Sequence, residues 1–512
     1  MAPLAARLAP KAAIVTQTGR ILTAAALRAG RVSLPVVARV ALVVTDPAVF
    51  IRLLVALDGR VAAVLLLSYG LPADQVADLV RAAGCDTLLT NRADLLASDP
   101  GWDGVTVLAA ETAQETAQEI PQEVPQETAP EPKPGQAAAL DPALAPSLAP
   151  SLDTVQDTLW LLTTSGTTGL PKIVSHHLAG LAAAVRPARS GDPQPVWGHV
   201  IDPARLAGVL VMLQALLGGG RLVMADPASP LATQIATLAA GGVTHLSCTP
   251  TLWRRILMLP DHAALRLTQI TLGGEAADAA TLRALAVAFP AARITHIYAS
   301  TEAGQGFSVT DGRAGFPAHW LMGAQDGPIG GPVDGPVDGP VDGPVDGPVD
   351  GLAGGIRLDI REGVLWLQPQ PAARDASRTG VEADAQGFIR TGDLVEIQGD
   401  IQSGRVMFLG RESGLINVAG VKVWPEVVEA VIKAVPGVGL VQVSSRKSPV
   451  TGALVVAEVQ PVAGADPVAL KPLILAACRA ALPREAVPAT LRFVEGFATN
   501  AAGKLLRPAP KA

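Results

Sequence analysis

A loop of small hydroxyl residues and glycines between two apolar runs is the feature that most restricts the fold and chemistry of this chain. The segment 161–175 reads LLTTSGTTGLPKIVS, so an apolar run leads into the loop, and Ile173 and Val174 resume the apolar pattern after it. Glycines and small side chains let backbone N–H groups approach an anion closely. We therefore expect a phosphate-binding loop between two strands. A Thr/Gly-rich turn that binds nothing is the simpler alternative.

The loop differs from a Walker P-loop, in which GxxxxGK is followed by Ser or Thr at the start of a helix. Here Pro171 lies between the last glycine and Lys172, and Ile173 follows the lysine. The string instead resembles the phosphate loop of the adenylate-forming superfamily, which comprises acyl-CoA synthetases, nonribosomal-peptide adenylation domains and luciferases. The resemblance implies a catalytic role for Lys172. It also implies nucleotide contacts from the loop residues Thr164, Ser165, Gly166, Thr167, Thr168 and Gly169.

Size and composition restrict the class of protein. The chain has 512 residues, enough for two or more domains, and 49% of them are hydrophobic. Its net charge of −6 argues against a nucleic-acid partner, which would require a basic surplus. Three scattered cysteines form neither a metal-binding spacing nor a disulfide framework, and no signal peptide is visible, so we expect a cytoplasmic protein. The most apolar region, 36–67, is interrupted by charges, so we expect no membrane span.

Strand-like and helix-like segments alternate in the first hundred residues. We predict strands at Val40–Val44, Val61–Leu67 and Thr87–Thr90, with helices at Pro47–Leu57 and Pro72–Ala83 between them. Such alternation is typical of layered α/β sheets. Beyond the phosphate loop, the same reading gives helices at Leu206–Leu217 and Leu231–Ala240, and strands at Arg221–Met224 and His245–Cys248.

Two low-complexity segments interrupt this pattern. Residues 111–150 are rich in Glu, Gln, Thr and Pro, and residues 331–350 are five tandem copies of GPVD. Neither composition buries enough apolar surface to offset the entropy of ordering. We interpret both as disordered surface insertions.

Further motifs of the same superfamily follow in order. ITLGGE ends in Gly274 and Glu275, and YASTE contains Tyr298, Thr301 and Glu302. In the superfamily the tyrosine stacks on adenine, the threonine contacts phosphate and the glutamate binds Mg²⁺, a cation that prefers oxygen ligands. TGD supplies Asp393, which the resemblance assigns to the two ribose hydroxyls.

The end of the chain resembles the mobile part of these enzymes. FLGRESG contains Arg411, expected to contact ribose or phosphate, and Ser413 at the hinge position. Gly420 matches the glycine that lines the pantetheine tunnel. NAAGKLLR near the C-terminus matches the motif of the catalytic lysine, which makes Lys504 the expected catalytic residue.

The acid substrate is not readable from these motifs. The superfamily often has a histidine where this chain has Arg205, and this departure suggests a substrate with a second anionic or polar group. We assign Arg205 and Trp197 to the acyl pocket.

The resemblance extends from about residue 12 to residue 507 and leads to one main hypothesis. It implies an α/β fold with a large multi-sheet adenylation domain, 1–411, and a small mobile α+β lid, 412–512. The expected reaction converts a carboxylic acid and Mg·ATP into acyl-AMP and pyrophosphate, and then into a CoA thioester. The alternatives are transfer to a carrier-protein phosphopantetheine, a reaction that stops at acyl-AMP, or a non-catalytic homologue that serves as a binding protein. The oligomeric state is not predicted.

Overall fold

The computed structural model describes residues 2–16, 19–30, 39–97, 102, 104–110, 157–164, 170–188, 191, 193–302, 304–322, 351–352, 356–369, 383–449, 451–500 and 503–506. Both predicted insertions, 111–150 and 331–350, lie outside these residues.

A six-stranded sheet is built largely from the first hundred residues, in the order β6-β5-β3-β4-β7-β8. All neighbours pair in parallel except β7 and β8, which form an antiparallel hairpin around the predicted phosphate loop. Its strands are β3 (Arg39–Val43), β4 (Ala63–Leu66), β5 (Thr87–Thr90), β6 (Thr106–Ala109), β7 (Leu159–Thr163) and β8 (Ile173–His177).

A nine-stranded sheet follows, in the order β16-β14-β13-β12-β11-β9-β10-β1-β2. Its six central strands, from β13 to β1, are parallel, and antiparallel strands flank them on both sides. The strands are β1 (Ala13–Val15), β2 (Ile21–Thr23), β9 (Val196–His199), β10 (Arg221–Met224), β11 (His245–Cys248), β12 (Gln269–Gly273), β13 (Arg293–Ser300), β14 (Gly304–Val309) and β16 (Gly351–Leu352).

Helices connect and cover these two sheets. They are α1 (Leu4–Arg7), α2 (Ala24–Ala29), α3 (Pro47–Leu57), α4 (Ala73–Ala82), α5 (Ala93–Ala97), α6 (Leu178–Ala182), α7 (Leu206–Gly218), α8 (Leu231–Ala240), α9 (Pro250–Leu257) and α10 (Ala279–Ala288). Nearly all of α3 and most of α7 is buried, within one apolar cluster that contains residues of both sheets.

A third sheet of five antiparallel strands has the order β15-β20-β19-β18-β17. It packs through a cluster that includes Phe307, Phe316 and Trp320. Its strands are β15 (Phe316–Pro317), β17 (Arg357–Arg361), β18 (Val364–Gln368), β19 (Ile389–Gln398) and β20 (Arg405–Arg411).

The C-terminal region has an apolar core of its own, which includes the fully buried Val441 and Ile474. A hairpin, β21 (Ile416–Val418) and β22 (Val421–Val423), precedes a sheet of β23 (Val438–Ser448), β24 (Gly452–Pro461) and β25 (Thr490–Phe493). Helices α11 (Pro425–Lys433) and α12 (Pro467–Ala481) complete this region.

Most predicted elements are confirmed, several with identical bounds. Helix Pro47–Leu57 begins where Asp46 accepts hydrogen bonds from two backbone N–H groups and Pro47 occupies the first turn. Strand Val61–Leu67 is shorter than predicted, at Ala63–Leu66, and helix Pro72–Ala83 loses one residue at each end. Within the described residues, no helix has both the length and the apolar character needed to cross a bilayer. The expected α/β architecture with several sheets is therefore observed.

Candidate active site

Several motif residues meet where parallel strands end. Thr249 follows β11, Gly274 follows β12, and Ser300 ends β13, and these three strands are neighbours in one sheet. Carboxyl ends of parallel strands lie at one edge of a sheet, which is the usual ligand-binding edge of α/β folds. We call this edge, with the residues that face it, the strand-end site.

Lys504 reaches the strand-end site from the C-terminal region. A tight turn holds it: Lys504 N–H donates to Oδ1 of Asn500 at 3.1 Å, and Asn500 N–H donates to the Lys504 carbonyl at 2.9 Å. The Thr249 hydroxyl donates to the Gly503 carbonyl at 3.3 Å, which joins this turn to the sheet edge. A Cβ placed on Gly274 would lie 3.3 Å from Cε of Lys504, so the lysine lies against the Gly274 backbone.

Burial and neighbouring charges shift the pKa of Lys504 in opposite directions. Burial is the main cause that lowers the pKa of Lys504, and the cations Arg411 and Arg205 act in the same direction. The carboxylates of Glu275 and Asp393 oppose this shift. Glu275 is itself positioned by Thr251, whose backbone N–H donates to Oε2 at 3.0 Å. A lysine in this position is suited to meet an anionic ligand.

Asp393 is 8% exposed and accepts hydrogen bonds on both of its oxygens. The Tyr298 hydroxyl donates to Oδ2 at 2.6 Å, and Nε of Arg411 donates to Oδ1 at 2.9 Å. Asp393 and Arg411 are direct partners on the neighbouring strands β19 and β20. A carboxylate offers about four lone-pair sites, so both oxygens retain capacity for ligand hydroxyls.

The ring of Tyr298 is part of an aromatic stack. Phe307 lies 5.1 Å away at an interplanar angle of 12°, and Phe408 lies 5.6 Å away at 7°. Burial and the adjacent Asp393 raise the pKa of Tyr298, which keeps its hydroxyl protonated as a donor. The motif in the sequence predicts that this ring stacks on adenine. It does not identify the two phenylalanines, because their contacts join distant segments of the chain.

Thr301 and Glu302 lie in the turn between β13 and β14, where both are half-buried. The negative charge of Glu302 contributes to the raised pKa of Arg411, so the two side chains are close enough to interact. An oxygen ligand of this kind suits Mg²⁺.

Only the ends of the predicted phosphate loop are described. Thr164 and Lys172 close the hairpin: Thr164 N–H donates to the Lys172 carbonyl at 2.9 Å, and Lys172 N–H donates to the Thr164 hydroxyl at 3.2 Å. The Lys172 side chain is exposed. The predicted contacts of Ser165, Gly166, Thr167, Thr168 and Gly169 lie outside the described residues.

The two residues assigned to the acyl pocket lie in different places. Arg205 follows β9 and immediately precedes α7, at the strand-end site, and its charge acts on Lys504. Trp197 is 4% exposed in the core, with its ring 4.8 Å from that of His245 and its edge beside Gly220. Because Gly220 directly precedes β10, Trp197 is near the opposite, amino-terminal ends of these strands.

The predicted hinge residue, Ser413, lies in a short 3₁₀ turn, Glu412–Gly414, directly after β20. Glu412 forms a bidentate ion pair with Arg390 at 2.5 and 2.7 Å. Gly420 lies at the tip of the β21–β22 hairpin with φ +90°, and a Cβ there would meet open space. Gly420 is thus not among the residues around Lys504 in this structure.

Arg254 is a residue that the sequence reading missed. It lies on α9, and its guanidinium donates from Nε to the Gly439 carbonyl at 2.9 Å and from Nη2 to the Lys433 carbonyl at 3.3 Å. Asp278 lies between Arg254 and Lys433, at 3.8 and 3.9 Å. Arg254 therefore binds the C-terminal region to the large one. The adjacent pair of arginines in PTLWRRIL was a visible but nonspecific signal.

Comparisons with known proteins agree with this geometry. A family model described as AMP-binding enzyme matches residues 21–337. The chain is 28% identical over 358 residues, 68% of its length, to CymA of Salinispora arenicola (strain CNS-205), a probable non-canonical nonribosomal peptide synthetase. It is 35% identical over 147 residues, 27% of its length, to an isonitrile lipopeptide synthase of Streptomyces coeruleorubidus. The matches span 4% and 9% of those two proteins.

Solved structures share the fold over nearly the whole chain. The anthranilate CoA ligase AuaEII has a TM-score of 0.71 at 16% identity, covering 99% of this chain and 96% of that one. MatB from Rhodopseudomonas palustris has a TM-score of 0.70 at 20% identity, covering 98% and 97%. The amide bond synthetase McbA from Marinactinospora thermotolerans has a TM-score of 0.67 at 20% identity, covering 98% and 96%. With the family model matching more than half of its length, this chain belongs to the AMP-binding family of the adenylate-forming superfamily.

Proposed function

We propose that the protein activates a carboxylic acid with ATP, forming acyl-AMP and pyrophosphate, and then transfers the acyl group to the thiol of CoA. The observation that carries the proposal is the position of Lys504 against Gly274, within the electrostatic reach of Asp393. A fixed ammonium there would lie between an acid carboxylate and an α-phosphate. Negative charge that develops at that phosphate in the transition state would be stabilised without reorganisation.

The other residues take supporting roles in this proposal. Asp393, oriented by Tyr298 and Arg411, would accept hydrogen bonds from the ribose hydroxyls. Lys172 and the adjoining loop would hold the leaving phosphates. Mg²⁺ at Glu302 would supply charge neutralisation for the phosphates. We infer a cytoplasmic location, which is supported by three buried, unpaired cysteines, Cys85, Cys248 and Cys478.

The thioester step requires a second arrangement of the C-terminal region. We propose a boundary at Arg411 and rotation about Ser413, which would withdraw Lys504 and bring Gly420 to the strand-end site. Such a rotation lets one site serve two reactions and protects the intermediate from water.

A carrier-protein phosphopantetheine is a specific alternative to CoA as the acceptor of the acyl group. Both curated relatives are named as peptide synthases, which supports a carrier-protein phosphopantetheine as the alternative acceptor. A non-catalytic homologue is opposed by the joint presence of Lys172, Glu302, Asp393 and Lys504.

Pyrophosphate release with Mg·ATP, measured over a panel of carboxylic acids with and without CoA, tests the proposal. Acid-dependent release that rises with CoA, together with an acyl-CoA product, is the expected result. Pyrophosphate release that does not change when CoA is added, with acyl-AMP retained on the enzyme, would favour the carrier-protein alternative. ATP binding without release for any acid would contradict the proposed activity.

A further inference from the structure

Arg205 is half-buried, and two of its three guanidinium nitrogens are buried without a hydrogen-bond partner among the described residues. Its Nε and Nη1 atoms are inaccessible to solvent and make no hydrogen bond with any of the described residues. Arginine stays charged at all ordinary pH values and carries five donors. Leaving a buried charged donor unsatisfied is costly, and such groups in native structures are usually paired. An arginine in this state at a ligand-binding edge indicates a missing anionic partner.

The backbone around Arg205 is held rigidly. Arg205 N–H donates to the Asp202 carbonyl at 3.0 Å, and the Arg205 carbonyl accepts from Val209 N–H at 2.9 Å, which starts α7. Gly208 is required for this close turn, because a Cβ there would lie 2.3 Å from the Asp202 carbonyl oxygen. The segment therefore presents Arg205 in a preorganised position.

Asp202, an acidic residue close to Arg205, does not form an ion pair with it. Asp202 is 2% exposed, and its carboxylate accepts hydrogen bonds from the Ser68 hydroxyl and from Ala204 N–H, at 2.9 Å for the latter. No ion pair joins Asp202 to Arg205 within the described part of the chain. Burial raises the pKa of Asp202, whereas the charge of Arg205 lowers it, so the two groups are close but the aspartate is bound elsewhere.

Arg205 and Lys504 approach the same site from different parts of the chain. The segment that holds Arg205 follows β9, which is parallel to β11 and in the same sheet as β12, so it leaves the sheet at the edge that Lys504 occupies. The positive charge of Arg205 contributes to lowering the pKa of Lys504. Two cations near each other repel, and a ligand with two anionic groups would relieve that repulsion.

We propose that Arg205 binds a second carboxylate of the acid substrate, so that the enzyme acts on dicarboxylic acids: Lys504 takes the reacting carboxylate and Arg205 takes the other. This inference rests on the proposed function and extends it to a substrate class. The rival role for Arg205 is a contact to the reacting carboxylate or to the α-phosphate, which every acid would share.

The test compares acids that differ only in the second carboxylate. Propanoate and malonate, butanoate and succinate, and pentanoate and glutarate form matched pairs. Initial rates of pyrophosphate release give kcat/KM for each acid with the wild type, Arg205→Leu and Arg205→Lys. Arg186→Leu is the matched control, because Arg186 is exposed and lies beside the opposite end of α7, where its backbone bonds Gln214. Equilibrium titration of each acid in the presence of α,β-methylene-ATP, which cannot release pyrophosphate, is a second readout that does not depend on turnover.

We expect the wild type to prefer one diacid over its matched monoacid. Arg205→Leu should lower kcat/KM for that diacid by about tenfold to a hundredfold, as for a lost hydrogen bond to a charged group. It should lower kcat/KM for the matched monoacid by a clearly smaller factor, and Arg205→Lys should restore part of the preference, since lysine keeps the charge but not the planar fork of donors. Arg186→Leu should change neither acid.

Two outcomes would overturn the inference: a wild type that prefers every monoacid, or an equal loss for both members of a pair in Arg205→Leu. The titration separates this from failure of the proposed function. Diacid binding that depends on Arg205 without pyrophosphate release would support the site and contradict the activity. Pyrophosphate release with monoacids at a rate that does not change in Arg205→Leu would support the activity and contradict the second-carboxylate site.

Discussion

Lys504 and Gly274 are in contact across 230 residues of sequence: a Cβ on Gly274 would lie 3.3 Å from Cε and 3.5 Å from Nζ of the lysine. Gly274 also has φ +78°, a conformation that costs other residues about 1 kcal/mol or more. We therefore expect Gly274→Ala to displace the ammonium and slow pyrophosphate release by about tenfold, since small misplacements of catalytic groups are expensive.

Gly242→Ala is the matched control for Gly274→Ala, because Gly242 has φ +68° but a Cβ there would meet nothing within 4 Å. It should lower the melting temperature to a similar extent and leave the rate unchanged. Equal rates for the two variants would show that contact with Lys504 is unimportant.

Local patterns allowed much of the fold to be predicted. Helix Pro47–Leu57 and strand Arg221–Met224 were placed with the observed bounds, because a cap, a proline or a glycine run marks each boundary within the segment itself. The continuity of strand Ile389–Gln398 was not anticipated. Gly392, with φ +73°, has the features of a turn residue but lies within the strand, and the register shifts soon after it, between Leu394 and Val395.

Contacts between distant segments could not be predicted in the same way. Asp393 was identified by its motif, but its donors Tyr298 and Arg411 are set by the pairing of β19 with β20 and by the packing of two sheets. The carboxylate of Asp202, close to Arg205, likewise accepts a hydrogen bond from the hydroxyl of Ser68, more than 130 residues earlier in the chain. Single-sequence patterns contain no information on such pairs.

Loss of the Lys504 ammonium should affect the two half-reactions unequally. Lys504→Ala removes the group that would stabilise the charge on the α-phosphate, and we expect adenylation to slow by about a hundredfold or more, as for loss of an oxyanion donor. Thioester formation from supplied acyl-AMP should change much less, because the lysine would have left the site by then. Rapid-quench assays of each half-reaction measure this. Equal losses in both would exclude the proposed role.

The pH dependence of adenylation should reflect the lowered pKa of Lys504. The ammonium is the active form, so the rate should be full below the folded-state pKa and fall as pH rises through it, at a pH below the ordinary 10.5. Because the unfolded chain keeps its proton to higher pH, the energetic cost of burying the charged lysine disappears over the same window, and the folded state gains stability there. The pH profile of kcat/KM for pyrophosphate release measures the first effect, because kcat/KM reports the pKa values of the free enzyme.

Lys504→Arg provides the control for this profile, since arginine stays protonated above pH 12. Its slower reaction should lack the alkaline decline. A decline at the same pH in Lys504→Arg would assign the titration to another group.

Arg254 should control how the C-terminal region docks for adenylation. Its side chain is 11% exposed, and its guanidinium donates to the carbonyls of Gly439, Lys433 and Val438, so Arg254→Ala removes three hydrogen bonds to the C-terminal region. A hydrogen bond to a charged group contributes about 1.5–3 kcal/mol, so we expect adenylation to fall by about tenfold or more. Thioester formation from supplied acyl-AMP should be unchanged or faster, because the competing docked arrangement is weakened.

Arg266→Ala is the matched control, since Arg266 is exposed and bonds only the nearby Ala263 carbonyl among the described residues. If Arg254→Ala slowed both half-reactions alike and lowered the melting temperature, Arg254 would be a general stability residue and not a determinant of docking.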